Sequence, residues 1–191
     1  MAVRDALQIG DKRLKAKNQK IINMDDKVRQ VIKDLIDTMH ENQLVGMAAP
    51  QIGENITLFI TEPRETKTRP ADQSDKLRIY INPKITQYSS KKNIIFEGCG
   101  SVLHGQIFGP VERSQKIKID YHDELGAKHW LQCDGILARV IQHEYDHLTG
   151  IEFTEKISDY RRLKNLEHYK EFMLANPKYL LASQITLKNE G

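Results

Sequence analysis

The sequence predicts an α+β fold in which mixed or antiparallel β-sheets pack around a central helix, with further helices near the N- and C-terminal ends. Three observations predict it. Apolar residues recur at helical spacing over residues 25–40, 135–148 and 159–175. Short runs rich in β-branched and aromatic residues fill the interval between the first two of these stretches. The resulting order is one helix, a group of strands and then two helices, which separates the two kinds of element along the chain as α+β domains do.

Each element has a local signal of its own. Residues 25–40 place Val28, Val31, Ile32, Leu35, Ile36 and Met39 on one side of a helix, and Asp25 and Asp26 suit its positive N-terminal end. The next stretch, LVGMAAPQIG (44–53), combines Gly46, Pro50 and small residues and reads as a close-packed irregular segment. ITLFIT (56–61) reads as a strand. The polar TEPRETKTRPADQSDK (61–76), with its two prolines, reads as an exposed loop. LRIYIN (77–82), NIIFEG (93–98) and KIKIDYH (116–122) read as further strands, and AKHWLQC (127–133) as a weaker one. Helical spacing returns over 135–148. A last amphipathic helix over 159–175 carries Leu163, Leu166, Tyr169, Phe172 and Met173 on one side, with Pro177 just past its end. There is no internal repeat and no low-complexity segment. The 191 residues are expected to form one domain (1–191), long enough to bury a core without staples.

Composition narrows the function. The hydrophobic fraction of 39% with scattered charge fits a globular protein. The formal charge is +3, and Lys and Arg are spread out rather than gathered in a basic block, which argues against nucleic-acid recognition. No run of about 18 apolar residues is present to span a membrane. The opening MAVRDALQIGDKRLK lacks the apolar core of a secretion signal. A cytoplasmic protein is therefore expected, in which the two cysteines, Cys99 and Cys133, remain reduced thiols.

The stretch ARVIQHEYDHLTG (138–150) carries the chemistry. On a helix, positions i and i+4 lie about 40° apart around the axis and about 6 Å along it, so the imidazoles of His143 and His147 can converge on one ion. Glu144 lies about 100° round from His143, beside such an ion rather than aimed at it, which suits a base acting on water there. Ile136 and Val140 precede His143 on the same side and would supply a water-poor wall that strengthens electrostatics. HExxH alone is a weak signal, and its alternative is a polar helix face that binds nothing. The other histidines (40, 104, 122, 129 and 168) sit in polar or loop contexts without partners at ligand spacing.

A third ligand has two sources. Downstream, as in zinc peptidases, stand Glu152, Glu155, Glu167, His168 and Glu171, of which Glu167 and His168 fall on a charge-rich stretch that reads as a solvated face. Upstream stands Cys99 in FEGCGSV. A thiolate is a strong ligand for a borderline or soft divalent ion, and Gly98 and Gly100 would let the backbone approach the site closely. The alternative for Cys99 is a small buried apolar residue. Cys133, in LQCDG, reads that way as well.

GMAAPQ (46–51), EGCGS (97–101) and QHEYDHLTG (142–150) resemble, in the right order and at plausible separations, the three motifs of peptide deformylases: GxGxAAxQ, EGCxS and QHExDH. IGDKRL (9–14) is similar to that family's N-terminal segment, and IEF (151–153) to its continuation past the metal helix, so the resemblance covers roughly residues 5–155. The sequence departs from the motifs at two positions. Leu44 stands where the first motif begins with glycine, and Gly100 follows the cysteine where the family most often has leucine. Neither removes a ligand or the glutamate. Both bear on substrate fit and rate.

The resemblance implies hydrolysis of the N-formyl group from the starting methionine of new polypeptides, releasing formate, on a fold built around the metal-binding HExxH helix. It implies Cys99, His143 and His147 as metal ligands, Glu144 as the group that moves the proton, and the Gln51 amide and Gly100 N–H as donors to the oxyanion. Val45 and Gly46 would lie alongside the peptide backbone in a strand-addition mode. Ile95, Ile136, Val140 and Val45 would form the methionine pocket, with Glu97 in the same groove making a structural hydrogen bond. Asp146 would face solvent or orient a ligand. The family points to Fe(II) in the cell, with Zn(II), Ni(II) or Co(II) able to substitute. The partners implied are N-formylmethionyl nascent peptides and, transiently, the ribosome, with no membrane and no direct nucleic-acid specificity. Leucine at position 100 is expected to be chemically tolerable. Two competing readings are a zinc endopeptidase with a downstream third ligand and a deformylase-like binding protein without turnover.

Overall fold

The computed structural model describes residues 3–66 and 69–191. Helix α1 spans Asp26–Glu41. The Asp25 side chain accepts a hydrogen bond from the Val28 N–H at 2.9 Å, satisfying a donor the first turn leaves free, a contribution of about 1 kcal/mol. Strands β1 (Gly46–Ala48), β2 (Leu58–Thr61), β3 (Arg78–Tyr88), β4 (Lys92–Glu97), β5 (Ile107–Ser114), β6 (Lys116–His122) and β7 (Lys128–Asp134) follow. Then come α2 (Gly135–Leu148), β8 (Lys164–Asn165), α3 (Leu166–Ala175), α4 (Pro177–Ala182) and β9 (Lys188–Glu190). The strands form a six-stranded sheet, β1-β2-β3-β6-β7-β9, and a three-stranded sheet, β4-β5-β8. Every pairing between these strands is antiparallel.

The large sheet is covered on both faces, which explains why β2 is apolar without alternation. Leu58 and Ile60 join Val31, Ile32, Leu35 and Met39 of α1 in one core. Phe59 turns the other way and joins Leu137, Ala138 and Ile141 of α2, with Tyr80, Ile119 and Leu131, in the other. Each such large side chain contributes about 1.5–3 kcal/mol on burial. Helix α2 thus lies against the large sheet through one side. Its other side carries Arg139, His143 and Asp146 toward the small sheet, where they meet Glu97 of β4 and Arg113 of β5. This sandwiching fixes α2, and with it the histidine pair, in the middle of the molecule.

Several elements differ from the sequence reading. The segment expected to be irregular contains β1, whose small residues carry no strand signal of their own and are held by pairing with β2. Strand β5 shows no strand pattern in the sequence because Gly109 and Pro110 interrupt it. It forms because all of β4 pairs with its residues 109–114, from Lys92↔Ser114 to Glu97↔Gly109. The helix expected over 159–175 starts only at Leu166. Lys164 and Asn165 pair with β5 instead, and the Asn165 side chain caps α3 by accepting from the His168 N–H at 2.9 Å. Pro177 lies just past the end of α3, as expected, but is not itself outside a helix. It opens α4, at a first-turn position where a missing N–H costs nothing. Strand β9 is polar and unsignalled, and is tied down by Arg78–Glu190 and by Lys188–Asp75 at 3.0 Å. In the expected loop 61–76, residues 67 and 68 lie outside the described residues, and Asp75 is buried rather than exposed, bonded to Arg78 at 2.5 Å.

Candidate active site

Helix α2 presents His143, Glu144 and His147 from one stretch of its surface, all buried. Strand β4 ends at Glu97, and the following turn, Gly98–Ser101, carries Cys99 up to them. The Cys99 Sγ lies 3.3 Å from His147 Nε2 and also receives the Ser101 N–H at 3.4 Å. One ligand atom each from Cys99, His143 and His147 lies within 4.8 Å of the others. One sulfur and two imidazole nitrogens at this separation fit a divalent ion at ligand distances of about 2.0–2.3 Å. The Glu97 carboxylate holds His143 Nδ1 at 3.0 Å, which fixes the ring and leaves its other nitrogen for the ion. Glu152, Glu155, Glu167, His168 and Glu171 do not join this cluster. Glu155 instead pairs with Lys15, and His168 bonds Asn165. The third ligand is thus placed upstream, at Cys99, and the downstream alternative is excluded by position.

Burial alone would push the Glu97 carboxyl up, but Arg113 and His143 hold it well below the usual carboxylate range. Arg113 binds it in a fork, at 2.6 and 2.8 Å, and Arg139 adds a third bond at 2.5 Å. Arg113 reaches on to Asp146 at 2.7 Å, and Asp146 in turn pairs with Lys156 at 2.6 Å. Asp146 therefore neither faces solvent nor touches a ligand directly; it completes the ion network behind His143. Glu97, whose oxygens are taken by two arginines and His143, also borders the cleft that opens onto this cluster. Neither arginine was found by sequence reasoning. The signal available was Arg139, four residues before His143 and therefore on the same helix face.

Glu144 differs from Glu97. No described residue bonds its Oε2, and burial pushes its carboxyl up to about 7. An unengaged carboxylate oxygen beside three metal-ligating side chains is free to exchange a proton. Gly46 makes room for it: a Cβ there would lie 2.7 Å from Glu144 Oε1 and 2.6 Å from Val140 Cγ1. Gln51 is oriented by the Ala48 N–H, which donates to its Oε1 at 2.8 Å, so that its Nε2 faces Cys99 Sγ at 3.4 Å and Ser101 Oγ at 3.2 Å.

A cleft of about 820 Å³ opens onto this cluster. Val45, Ile95, Ile136 and Val140 all border it, as does Gly100. Phe108, Tyr169 and Met173 border it too. Tyr169 and Met173 read in the sequence as the core face of a helix, yet α3 turns them to the groove, where Tyr169 stacks on Phe108 at 4.0 Å between ring centres. The flanking glycines of the cysteine also have a different reason from the one expected. A Cβ at Gly98 would meet the Phe108 ring at 2.7 Å and one at Gly100 would meet Leu44 Cδ1 at 2.9 Å, so groove packing, rather than approach of the backbone to the ion, excludes a side chain.

Residues 3–163 match the family model described as polypeptide deformylase. The chain belongs to the peptide deformylase family. It is 35% identical to the peptide deformylase of Treponema pallidum (strain Nichols) over 161 residues, which is 84% of this chain and 92% of that one. To the peptide deformylase of Prochlorococcus marinus (strain NATL2A) it is 34% identical over 157 residues, 82% of this chain and 74% of that one. Among solved structures, the peptide deformylase from Thermotoga maritima superimposes with a TM-score of 0.75 at 29% identity, covering 83% of this chain and all, 100%, of that one. The Met-Ala-Ser-bound class I type b peptide deformylase from Acinetobacter baumannii gives 0.76 at 30% identity, with 82% and 99% covered. The activity is that of a deformylase, a metal-dependent hydrolase that removes the N-formyl group from nascent peptides. The α3, α4 and β9 elements lie beyond the region the family model matches.

Proposed function

We propose that Cys99, His143 and His147 together hold one divalent ion, that Glu144 moves the proton, and that the Gln51 amide and the Gly100 N–H receive the oxyanion during deformylation of N-formylmethionyl peptides. The observation that carries this is the unengaged, buried Oε2 of Glu144 beside a buried sulfur–imidazole–imidazole cluster. When bound, the ion supplies Lewis acidity and lowers the pKa of water. Glu144 takes a proton from the water that attacks the formyl carbon. It then gives that proton to the amine as the C–N bond breaks, so that formate and a free N-terminus leave. Gln51 is suited to donate because its oxygen is already occupied by Ala48. Gly100 is suited because its N–H shares a peptide plane with the Cys99 carbonyl, which the Val102 N–H holds at 3.0 Å, while its own carbonyl accepts from Gln8 Nε2 at 2.9 Å. Loss of one such donor typically costs about 100-fold or more.

The peptide is placed by the edge of the large sheet. β1 is an edge strand. The Glu62 N–H donates to the Val45 carbonyl, so alternation turns the Gly46 N–H and C=O toward the open side, where an extended peptide adds as a further strand. Val45, Ile95, Ile136 and Val140 then enclose the methionine side chain. The Acinetobacter relative with bound Met-Ala-Ser supports a peptide of this kind as the ligand. For the ion we favour Fe(II) in the cell, with Zn(II), Ni(II) or Co(II) as substitutes that the same donor set accepts. No helix among the described residues is long and apolar enough to cross a membrane. We place the protein in the cytoplasm as one folded domain, acting on nascent chains in transient contact with the ribosome. The test is formate release from formyl-Met-Ala-Ser by protein purified without oxygen. The Glu144→Gln variant should keep its metal and lose about 100- to 10,000-fold in kcat. Near-normal release by that variant would show that another group moves the proton.

A further inference from the structure

Leu44 and Gly100 are the two positions at which the motifs depart from the family pattern, and the fold puts them in contact. A Cβ on Gly100 would lie 2.9 Å from Leu44 Cδ1, 3.7 Å from Cδ2 and 3.9 Å from Cγ, and these are the three atoms nearest to it. Gly100 is not among the residues with positive φ, so its backbone conformation does not call for glycine. What excludes a side chain there is the volume of Leu44. Both backbones are also pinned. The Leu44 N–H donates to the Met39 carbonyl at 2.9 Å, and its own carbonyl accepts from Arg64 Nη2 at 2.8 Å. The Gly100 carbonyl is held by Gln8. A new atom at position 100 must therefore be accommodated by the Leu44 side chain itself.

Both residues border the cleft. On the reading above, the formyl group lies near Glu144 and Gly46. The peptide cannot continue along β1 toward Ala48, Ala49 and Gln51, which are buried. It runs the other way, past Val45 to Leu44. We infer that Leu44 and Gly100 form one coupled specificity element, in which the Leu44 side chain fills the space in front of Gly100 and supplies the apolar wall for the peptide residue that follows formyl-methionine. A single groove-lining side chain is thereby delivered from β1's approach rather than from the turn after the cysteine, leaving the Gly100 N–H bare toward the reacting carbonyl.

This inference rests on the deformylase reading, and its test separates the two. Steady-state formate release is measured on formyl-methionine amide and on formyl-Met-Ala-Ser for Leu44→Ala, Gly100→Ala and the double variant, with thermal midpoint and metal content on each. Leu44→Ala should raise KM several-fold on the tripeptide and much less on the short amide, with kcat moved little. Gly100→Ala should lower kcat/KM about ten-fold in the native background and only about two-fold beside Leu44→Ala, a coupling within the range that contacting residues show. Should Gly100→Ala fold poorly, the same cycle is read in the thermal midpoint, where the double variant should recover most of the loss. The exchange Leu44→Gly with Gly100→Leu should likewise restore tripeptide KM toward the native value. Additive effects of the two substitutions, or equal effects of Leu44→Ala on both substrates, would overturn the inference while leaving the deformylase reading intact. Absence of formate release from the metal-loaded native protein would sink both.

Discussion

Adding one methyl group at Gly46 should disable catalysis while leaving the metal ligands in place. The Cβ of Gly46→Ala would stand 2.6 Å from Val140 Cγ1, 2.7 Å from Glu144 Oε1 and 2.9 Å from Glu144 Cγ, whereas ordinary contact begins at 3.4 Å. Relief needs a displacement of about 0.8 Å, the difference between 3.4 and 2.6 Å. Val140 cannot give way by rotation, because it is buried and a β-branched side chain on a helix has essentially one χ1 state. Strand β1 cannot retreat without disturbing its register with β2. The Glu144 carboxylate therefore yields at its own contact, by about 0.7 Å (3.4 less 2.7 Å), while the Val140 contact remains as strain. Overpacking of this kind costs roughly 1–3 kcal/mol of stability. For a chain of this size each kcal/mol lowers the thermal midpoint by about 2–4 °C. Displacing a catalytic group by about 1 Å can cost about 100-fold in rate. The assay is kcat on formyl-Met-Ala-Ser with metal stoichiometry and thermal midpoint from the same preparation. A variant with native midpoint and a kcat within about three-fold of native would refute the reasoning, since it would mean that Glu144 has room the structure does not give it.

Two further predictions concern the charges behind the site and the tail. Arg113→Met leaves Glu97 short of its forked partner and Asp146 without its arginine, and should destabilise the fold by about 3–5 kcal/mol in urea unfolding at neutral pH, the usual cost of stripping one partner from a buried ion network. Asp75 is a second such case. Burial would raise its carboxyl, but Arg78 and Lys188 hold it below the ordinary value of 3.8. A depressed carboxylate contributes stability that is fully present above its unfolded pKa and is lost as pH falls through the folded one. The urea midpoint should therefore hold steady above about pH 5 and fall at lower pH, more steeply in the native protein than in Asp75→Asn. A variant with the native acid profile would remove Asp75 from the account.

The residues that were legible in the sequence are those whose placement is local. His143, Glu144 and His147 sit on one helix, so the 3.6-residue period alone sets their relation. The faces of α1 and α2 follow from the same period, and β2, β3 and β6 from their branched and aromatic runs. Cys99 could be proposed as a ligand from its chemistry, but only the ordered motifs, and then the fold, brought it to the histidines. What stayed hidden depends on pairing across the chain. β5 is masked by Gly109 and Pro110 and exists because β4 lies beside it. β9 has no strand pattern and is secured by ion pairs of Glu190 with Arg78 and Lys76 and of Lys188 with Asp75. Arg113 and Arg139 look like surface charges in the sequence. They become necessary only once Glu97 is buried. Tyr169 and Met173 carry a correct apolar signal whose destination, groove rather than core, is set by the late start of α3.

The central claim is that a thiolate and two imidazoles share one ion, and X-ray absorption at the metal edge of oxygen-free protein tests it most directly. With zinc loaded, the account predicts one sulfur at about 2.3 Å and two nitrogens at about 2.0–2.1 Å, and loss of the sulfur shell together with most of the metal in Cys99→Ala. A shell of nitrogen and oxygen alone in the native protein, or full metal retention and unchanged formate release in Cys99→Ala, would contradict it.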